Sequence, residues 1–315
     1  MRKVGIMSMQ RIANYGSFLQ AYALKQLIEE VGCNVEFVDY HVGAPVIAEN
    51  ADSKNKVVRK IEKGLKTFRY RAPLAHKLSF IRYKQSFAQK YMPLSRITDE
   101  MNYNPTVDCL VIGSDEVFNC IQKNSNVGYS PELFGKNNHA KKLITYAASF
   151  GNTTLEKLEK YKKANEVGAL LKKFDAISVR DANSGTIVEQ LTGKEPVYNL
   201  DPVLTYDYMN CCDKIPQVQT NEKYLILYAY AGRISNEEAD WISDYAKKKK
   251  LKVYAIGGIQ KCADRFVDCS PFEVLAYFRN AEEVITDTFH GSIFSVITHR
   301  PFTTLIRKSV GNSYG

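Results

Sequence analysis

The run Asp287-Thr288-Phe289-His290-Gly291-Ser292 lies between an apolar stretch at 283–286 and an apolar helical pattern at 292–298. A strand that turns through Thr, His, Gly and Ser into a helix sets backbone N–H groups and the positive helix end against a nearby anion. Histidine is the side chain that trades protons near neutral pH. His290 therefore suits acid–base work, and it equally suits a helix cap. Arg180 directly follows an apolar run at 176–179. Its planar fork matches a carboxylate or phosphate ligand, or a neighbouring acid in an ion pair. Asp115 follows Gly113-Ser114 at the end of an apolar run at 107–112. It fits a general base or a turn or helix N-cap. Asn14-Tyr15-Gly16-Ser17 and Asp201-Pro202 hold comparable places after the runs at 3–9 and 197–200. The first can contact a ligand or cap a helix; the second can contact a ligand or open a linker turn.

Other chemistries lack their signatures. The sequence has no GxxxxGK[ST] and no GxGxxG, so phosphate-loop and dinucleotide motifs are absent. No GxSxG elbow occurs. Neither HExxH nor a paired Cys/His spacing suggests zinc, and no Asp-x-Asp pair offers a divalent-metal site. The seven cysteines (33, 109, 120, 211, 212, 262 and 269) form no CxxC pair. An odd count without paired spacing argues against a disulfide framework and fits a reducing cytosol. His41, His76, His139 and His299 carry no recognisable role.

The elements that must position these residues alternate. Strands are predicted at 3–9, 35–40, 107–112, 143–149, 176–179 and 197–200, with helices at 18–31, 155–173 and 182–192. Residues 57–91 read as one or two basic helices broken near Pro73. The stretch 203–222 reads as a linker, and the alternation restarts with strands at 224–230, 252–256, 283–286 and 302–306 and helices at 235–250, 271–279 and 292–298. Such β-α alternation specifies parallel sheets covered by helices. Ligands in such sheets bind at the carboxyl ends of the strands, where every polar run above falls. The expected division is 1–203 and 204–315, two α/β domains with a cleft between them.

The length of 315 residues accommodates two domains, and 45% hydrophobic with 24% charged residues is ordinary globular composition. No apolar run reaches the roughly 18–20 residues that span a bilayer, and the N-terminus reads as a first strand rather than a signal peptide. The net charge of +9 is local. Residues 51–90 hold twelve Lys/Arg against Asp52 and Glu62, so the rest of the chain is close to neutral. That distribution disfavours general nucleic-acid binding. A basic helical insertion of this kind is either a solvated face or a docking site for an anionic membrane, through Arg59, Lys60, Lys63 and Lys66.

The segments NYGSFLQAYALKQLIEEVG, VIGSDEVFN, ITYAASFG, AISVRDANSGTIVEQLTG, NLDPVLTYD and VITDTFHGSIFSVITHRPF occur in this order. In that order the chain resembles the polysaccharide pyruvyl transferase family. The resemblance implies two Rossmann-like domains facing across a cleft, similar to glycosyltransferases of the B type, with the acceptor side in the first domain and the donor side in the second. It implies transfer of the enolpyruvyl group of phosphoenolpyruvate onto a sugar of a cell-surface polysaccharide or its lipid-linked precursor, forming a pyruvate ketal, in the cytoplasm and without a cofactor. Carried over by motif, His290 and Asp115 are the implied catalytic residues. Arg180, Asn14, Gly16, Ser17, Ser114, Asp201, Thr288, Gly291 and Ser292 are the implied substrate contacts.

Two departures stand out. Gly-Ser-Asp continues here as Glu116-Val117-Phe118-Asn119 rather than Gln-x-Trp-Asn, and the chain ends soon after its last predicted strand where family members run on through further helices. Two other functions stay open on the residues alone. A nucleotide-sugar glycosyltransferase of the same fold is one, although no Asp or Glu lies between Phe289 and His299 to hold a ribose. A non-catalytic polysaccharide-assembly protein is the other.

Overall fold

The computed structural model describes residues 1–47, 67–122 and 127–307. These divide into two compact units, one of residues 1–12, 17–47 and 92–206, the other of residues 13–16, 67–91 and 207–307.

The first unit is built on a six-stranded parallel sheet: β1 (Lys3–Met7), β2 (Asn34–Phe37), β3 (Cys109–Asp115), β4 (Lys142–Ala148), β5 (Ser178–Val179) and β6 (Val197–Tyr198), in the order β2-β1-β3-β4-β5-β6. β1 pairs with β3 in the register Ile6↔Val111, and β3 with β4 as Ile112↔Thr145. The central strands are nearly continuous apolar runs, as a sheet buried on both faces requires; Ile6 and Ile112 have no exposed surface. Helix α1 (Tyr15–Glu30) follows β1 and buries Phe18, Leu19, Ala23 and Leu24. A core of stacked rings, Phe118 on Phe134 at 4.7 Å with Phe150 and Phe174 around them, fills the far side of the sheet. The expected helix at 155–173 is two, α3 (Leu155–Lys160) and α4 (Ala164–Leu171). Lys162 adopts a left-handed φ of 56°, and the Lys163 N–H returns to the Leu158 carbonyl, a helix-ending closure. Helix α5 (Ala182–Thr192) matches its predicted bounds, capped by Asp181 and closed by Gly193. The expected linker contains α6 (Pro202–Thr205) and α7 (Tyr208–Cys211).

The second unit holds a five-stranded parallel sheet of β7 (Tyr224–Tyr228), β8 (Lys252–Ile256), β9 (Arg265–Phe266), β10 (Glu283–Thr286) and β11 (Phe302–Thr304), in the order β11-β10-β7-β8-β9. Helices α8 (Asn236–Lys249) and α9 (Pro271–Asn280) each begin with a complete capping box, from Ser235 and Ser270. α10 (Phe289–Ile297) begins three residues earlier than its apolar pattern predicts. α2 (Leu74–Tyr91) also belongs to this unit, whereas the sequence reading attaches its segment to the first domain. The physical reason is aromatic packing. Phe80, Tyr83 and Phe87 are buried, Phe80 and Tyr83 meet Phe266, and Tyr83 and Phe87 meet Tyr15. Pro73 stands just before α2, where proline suits a helix start. Arg59, Lys60, Lys63 and Lys66 of the basic segment lie outside the described residues. Among the described residues no helix is long and apolar enough to cross a membrane.

In each sheet the chain runs outward in one direction, then reverses to fill the other side. The reversal falls between β1 and β3 in the first unit and between β7 and β10 in the second. Crevices outside the strand carboxyl ends at such reversals are the usual ligand sites of open α/β sheets.

Candidate functional site

In the first unit the polar residues at the β1/β3 reversal form one connected cluster. Asp115, the last residue of β3, has φ of 72°, a left-handed value uncommon outside glycine and tolerated best by Asp and Asn. Its Oδ1 accepts the Glu116 N–H at 2.9 Å and its Oδ2 accepts the Ser17 hydroxyl at 2.9 Å. Arg180, just past β5, donates from Nη1 to Asp201 Oδ2 at 2.6 Å and from Nη2 to Asp115 Oδ1 at 3.4 Å. Its side chain is 8% exposed and that of Asp201 fully buried. Burial opposes the charge on Arg180, but Asp115, Asp201 and Glu116 outweigh that and hold the guanidinium above its usual value. Buried Ser114 donates to Asp201 at 3.3 Å and accepts the Asp115 N–H at 2.6 Å. Asp201 also caps α6 through the Val203 N–H. Ser8, after β1, donates to the Ser114 carbonyl at 3.1 Å and receives the Gln20 amide at 2.9 Å. The sequence reading did not single out Ser8 or Gln20; a pair made of a residue just past β1 and one on α1, 12 positions apart, leaves no motif. In this arrangement Asp115 is a fixed carboxylate at the end of β3, and both terminal nitrogens of Arg180 bond carboxylates of its own unit.

In the second unit the turn after β10 is fixed by hydroxyls. Thr288 caps α10 by accepting the Gly291 N–H at 2.9 Å, so the cap is Thr288 and not His290. Thr286 donates to the Tyr228 carbonyl at 2.7 Å and accepts the Thr288 N–H at 3.1 Å. A Cβ at Gly291 would lie 2.0 Å from the Thr286 hydroxyl, so only glycine fits there. Ser292 donates back to the Thr288 carbonyl at 3.3 Å and pairs with the Thr304 hydroxyl at 2.8 Å. His290, in the opening turn of α10, is half-buried.

Gly16 packs against the His290 ring. A Cβ there would sit 2.4 Å from Nδ1, although the Gly16 backbone lies outside the left-handed region. Residues 13–16 are fastened to this unit from both sides of Gly16's neighbour Tyr15. The Tyr15 hydroxyl donates to the Cys269 carbonyl at 2.9 Å, its ring lies 5.4 Å from Tyr83, and Lys84 Nζ donates to the Ala13 carbonyl at 3.1 Å. Asn14 stands immediately ahead of α1.

The sequence reading missed a charged group beside this turn. The Asp287 side chain has no exposed surface, and its Oδ2 lies 3.7 Å from Arg233 Nη1 and 3.5 Å from Arg307 Nε. Burial pushes the Asp287 carboxyl up, with Arg233 and Arg307 opposing. Arg233 lies on the loop that leaves the carboxyl end of β7, and a search of strand-end loops, not only of the residue directly after a strand as at Arg180, is the signal that could have found it.

The predicted residues thus gather into two sets: Ser17, Ser114, Asp115, Arg180 and Asp201 in the first unit, and Gly16, Thr288, His290, Gly291 and Ser292 in the second. Taken by itself, the capped turn of the second unit carries a histidine beside helix N–H groups, a pairing that suits proton transfer to an anionic substrate; taken by itself, the first unit presents the Asp115 carboxylate at the end of β3. A profile of the polysaccharide pyruvyl transferase family matches residues 14–309. The chain belongs to the polysaccharide pyruvyl transferase family. It is accordingly a transferase of polysaccharide biosynthesis, and the matched span contains every residue of both sets.

No match is found among curated proteins. Among solved structures this transferase is similar to the S. aureus MnaA–UDP co-structure, at TM-score 0.52 and 10% identity over 99% of this chain and 80% of that one. It is also similar to a putative UDP-N-acetylglucosamine 2-epimerase from Listeria monocytogenes, at TM-score 0.51 and 9% identity over 98% and 80% of the two chains. At such identity the likeness shows the fold alone, the glycosyltransferase-B-like pair of parallel α/β sheets.

Proposed function

We propose that this transferase moves the enolpyruvyl group of phosphoenolpyruvate onto a sugar of a cell-surface polysaccharide or its lipid-linked precursor, closing a pyruvate ketal across two hydroxyls. The observation that carries this reading is His290, held in the opening turn of α10 by the Thr288 cap and by the close approach of Gly16. A phosphoenolpyruvate donor brings a phosphate and a carboxylate to a turn of the anion-binding kind. His290 delivers a proton to the methylene carbon, which becomes the methyl group and leaves positive charge at C2. A sugar hydroxyl adds to C2 and gives its proton to a base, the role assigned to Asp115. The second hydroxyl then adds as phosphate leaves, and its proton departs with the phosphate. The balance is one phosphoenolpyruvate and one diol in, one ketal and one inorganic phosphate out. Arg180 orients Asp115 in this scheme by holding it against Asp201.

The test is phosphate release. Incubated with phosphoenolpyruvate and a panel of lipid-linked sugars, the enzyme is expected to release inorganic phosphate only when an acceptor is present, with a ketal methyl signal in the product. Release from nucleotide-sugars instead of phosphoenolpyruvate, or acceptor modification without phosphate release, would overturn the donor assignment.

A further inference from the structure

Arg233 lies at the chain reversal of the second sheet, on the loop after β7. β7 and β10 are hydrogen-bonded neighbours in the register Tyr228↔Thr286, so this loop and the His290 turn leave the sheet at adjacent strand ends. The loop is built rather than loose. The Arg233 N–H closes a turn on the Tyr230 carbonyl at 3.3 Å, and the Gln260 amide donates to the Ala229 and Tyr230 carbonyls at 3.2 and 3.3 Å. A Cβ at Gly258 would lie 2.3 Å from the Ala231 nitrogen, so the loop after β8 presses on this one directly.

The guanidinium itself is placed but not used. It stacks over the Tyr230 ring at 4.8 Å from the centroid, and Nη1 lies 3.7 Å from Asp287 Oδ2, beyond hydrogen-bond reach. Among the described residues its donors make no hydrogen bond, and a quarter of the side chain is exposed. Asp287 is the residue directly before the Thr288 cap, and both its oxygens are buried without a hydrogen bond. Arg307 lies 3.5 Å from the same oxygen and donates to Glu238 at 2.6 Å, so Asp287 is compensated from its other side. Asp287 thus fixes where the Arg233 fork stands by charge and leaves its donors for something else. Arg180 shows the opposite arrangement, with both terminal nitrogens on carboxylates.

We propose that Arg233 is a substrate-binding residue, whose fork takes an oxyanion of the donor, its carboxylate or its phosphate, beside the opening turn of α10. This rests on the donor reading above. A fixed, partly desolvated guanidinium recognises such groups through paired charge-assisted hydrogen bonds, and a lysine cannot reproduce that fork.

Calorimetric titration of wild type, Arg233→Lys and Arg233→Gln with phosphoenolpyruvate, inorganic phosphate and pyruvate tests it. Arg233→Gln is expected to weaken phosphoenolpyruvate about 10–100-fold, the range of a lost charged hydrogen bond, with Arg233→Lys between it and wild type. The fragment whose affinity falls more from wild type to Arg233→Gln names the group that Arg233 holds. Equal affinity of wild type and both variants for phosphoenolpyruvate overturns the proposal while the donor reading stands. Wild type that binds phosphate but not phosphoenolpyruvate overturns the donor reading, and the phosphate titration then judges Arg233. Wild type that binds none of the three overturns both. If Arg233→Gln does not fold, Arg233→Lys, which keeps the stem and the charge, decides the same question.

Discussion

Arg180 directly follows β5 and Arg233 lies on the loop that leaves β7, and the two units treat these arginines differently. In the first unit Arg180, Asp115, Asp201, Ser114 and Ser17 direct their polar atoms at one another. In the second unit Asp287 stands near Arg233 without bonding it, and His290 packs its ring on a bare backbone. One region uses charge to hold its own shape. The other uses hydroxyl caps for shape, and among its described residues the Arg233 guanidinium donors make no hydrogen bond. A polar residue at a strand end is therefore not yet a binding residue; its partners decide that.

Exchanging the chemistry at each region should separate turnover from stability. The largest effect is expected for His290→Ala. Loss of a positioned acid lowers turnover by roughly 10²–10⁴-fold, with the unfolding midpoint close to wild type because the ring is only half-buried. Near-normal phosphate release from that variant would remove His290 from the mechanism. Arg180→Met should act in the opposite order. Deleting the cation strands two carboxylates in a buried site, at a cost of about 3–5 kcal/mol of stability, visible as a lower denaturant midpoint. An unchanged midpoint with weakened donor binding would mean that Arg180 grips substrate and that the contrast between the regions is wrong. Ser17→Ala is expected to cost about 1 kcal/mol, one hydrogen bond to Asp115, and to lower turnover less than tenfold. A loss as large as that of Arg180→Met would show that Ser17 holds the whole cluster.

The strands and helices themselves were largely legible, because apolar period and capping residues act locally. β8, β10 and α5 occupy the predicted residues, since each is bounded by strong local signals such as Asp181 and Gly193 around α5. Where a tertiary contact decides, the sequence reading stops short. Lys162 ends a helix that the apolar pattern continues, and the two-residue β9 exists only through its pairing with β8. The Thr288 cap draws the start of α10 back to Phe289. The site residues were legible as candidates and illegible as partners. Arg180 meets Asp201 and Asp115 from 21 and 65 positions away, a distance no spacing rule bridges. Arg233 stands farther from its strand end than Arg180 does, and its neighbourhood, Ala231-Gly232-Arg233-Ile234, carries no motif.

Two glycines of the second unit carry different kinds of constraint. Gly257 has φ of 84° with nothing nearer than 3.5 Å to an added Cβ, so its requirement is written into its own backbone. No change elsewhere in the chain relieves it. Gly16 has an ordinary backbone and no room, because the His290 imidazole occupies the space a side chain would take. Its requirement belongs to another residue 274 positions away, and is eased when that residue shrinks. Position 16 is thus epistatic to position 290: alanine at 16 meets the histidine ring at 2.4 and 2.6 Å, whereas beside alanine only the residue-290 Cβ at 3.0 Å remains, a contact that a shift of a few tenths of an ångström relieves. A chain that loses its histidine loses with it the reason to keep the glycine, whereas one that keeps the histidine has only one order in which the two positions can change.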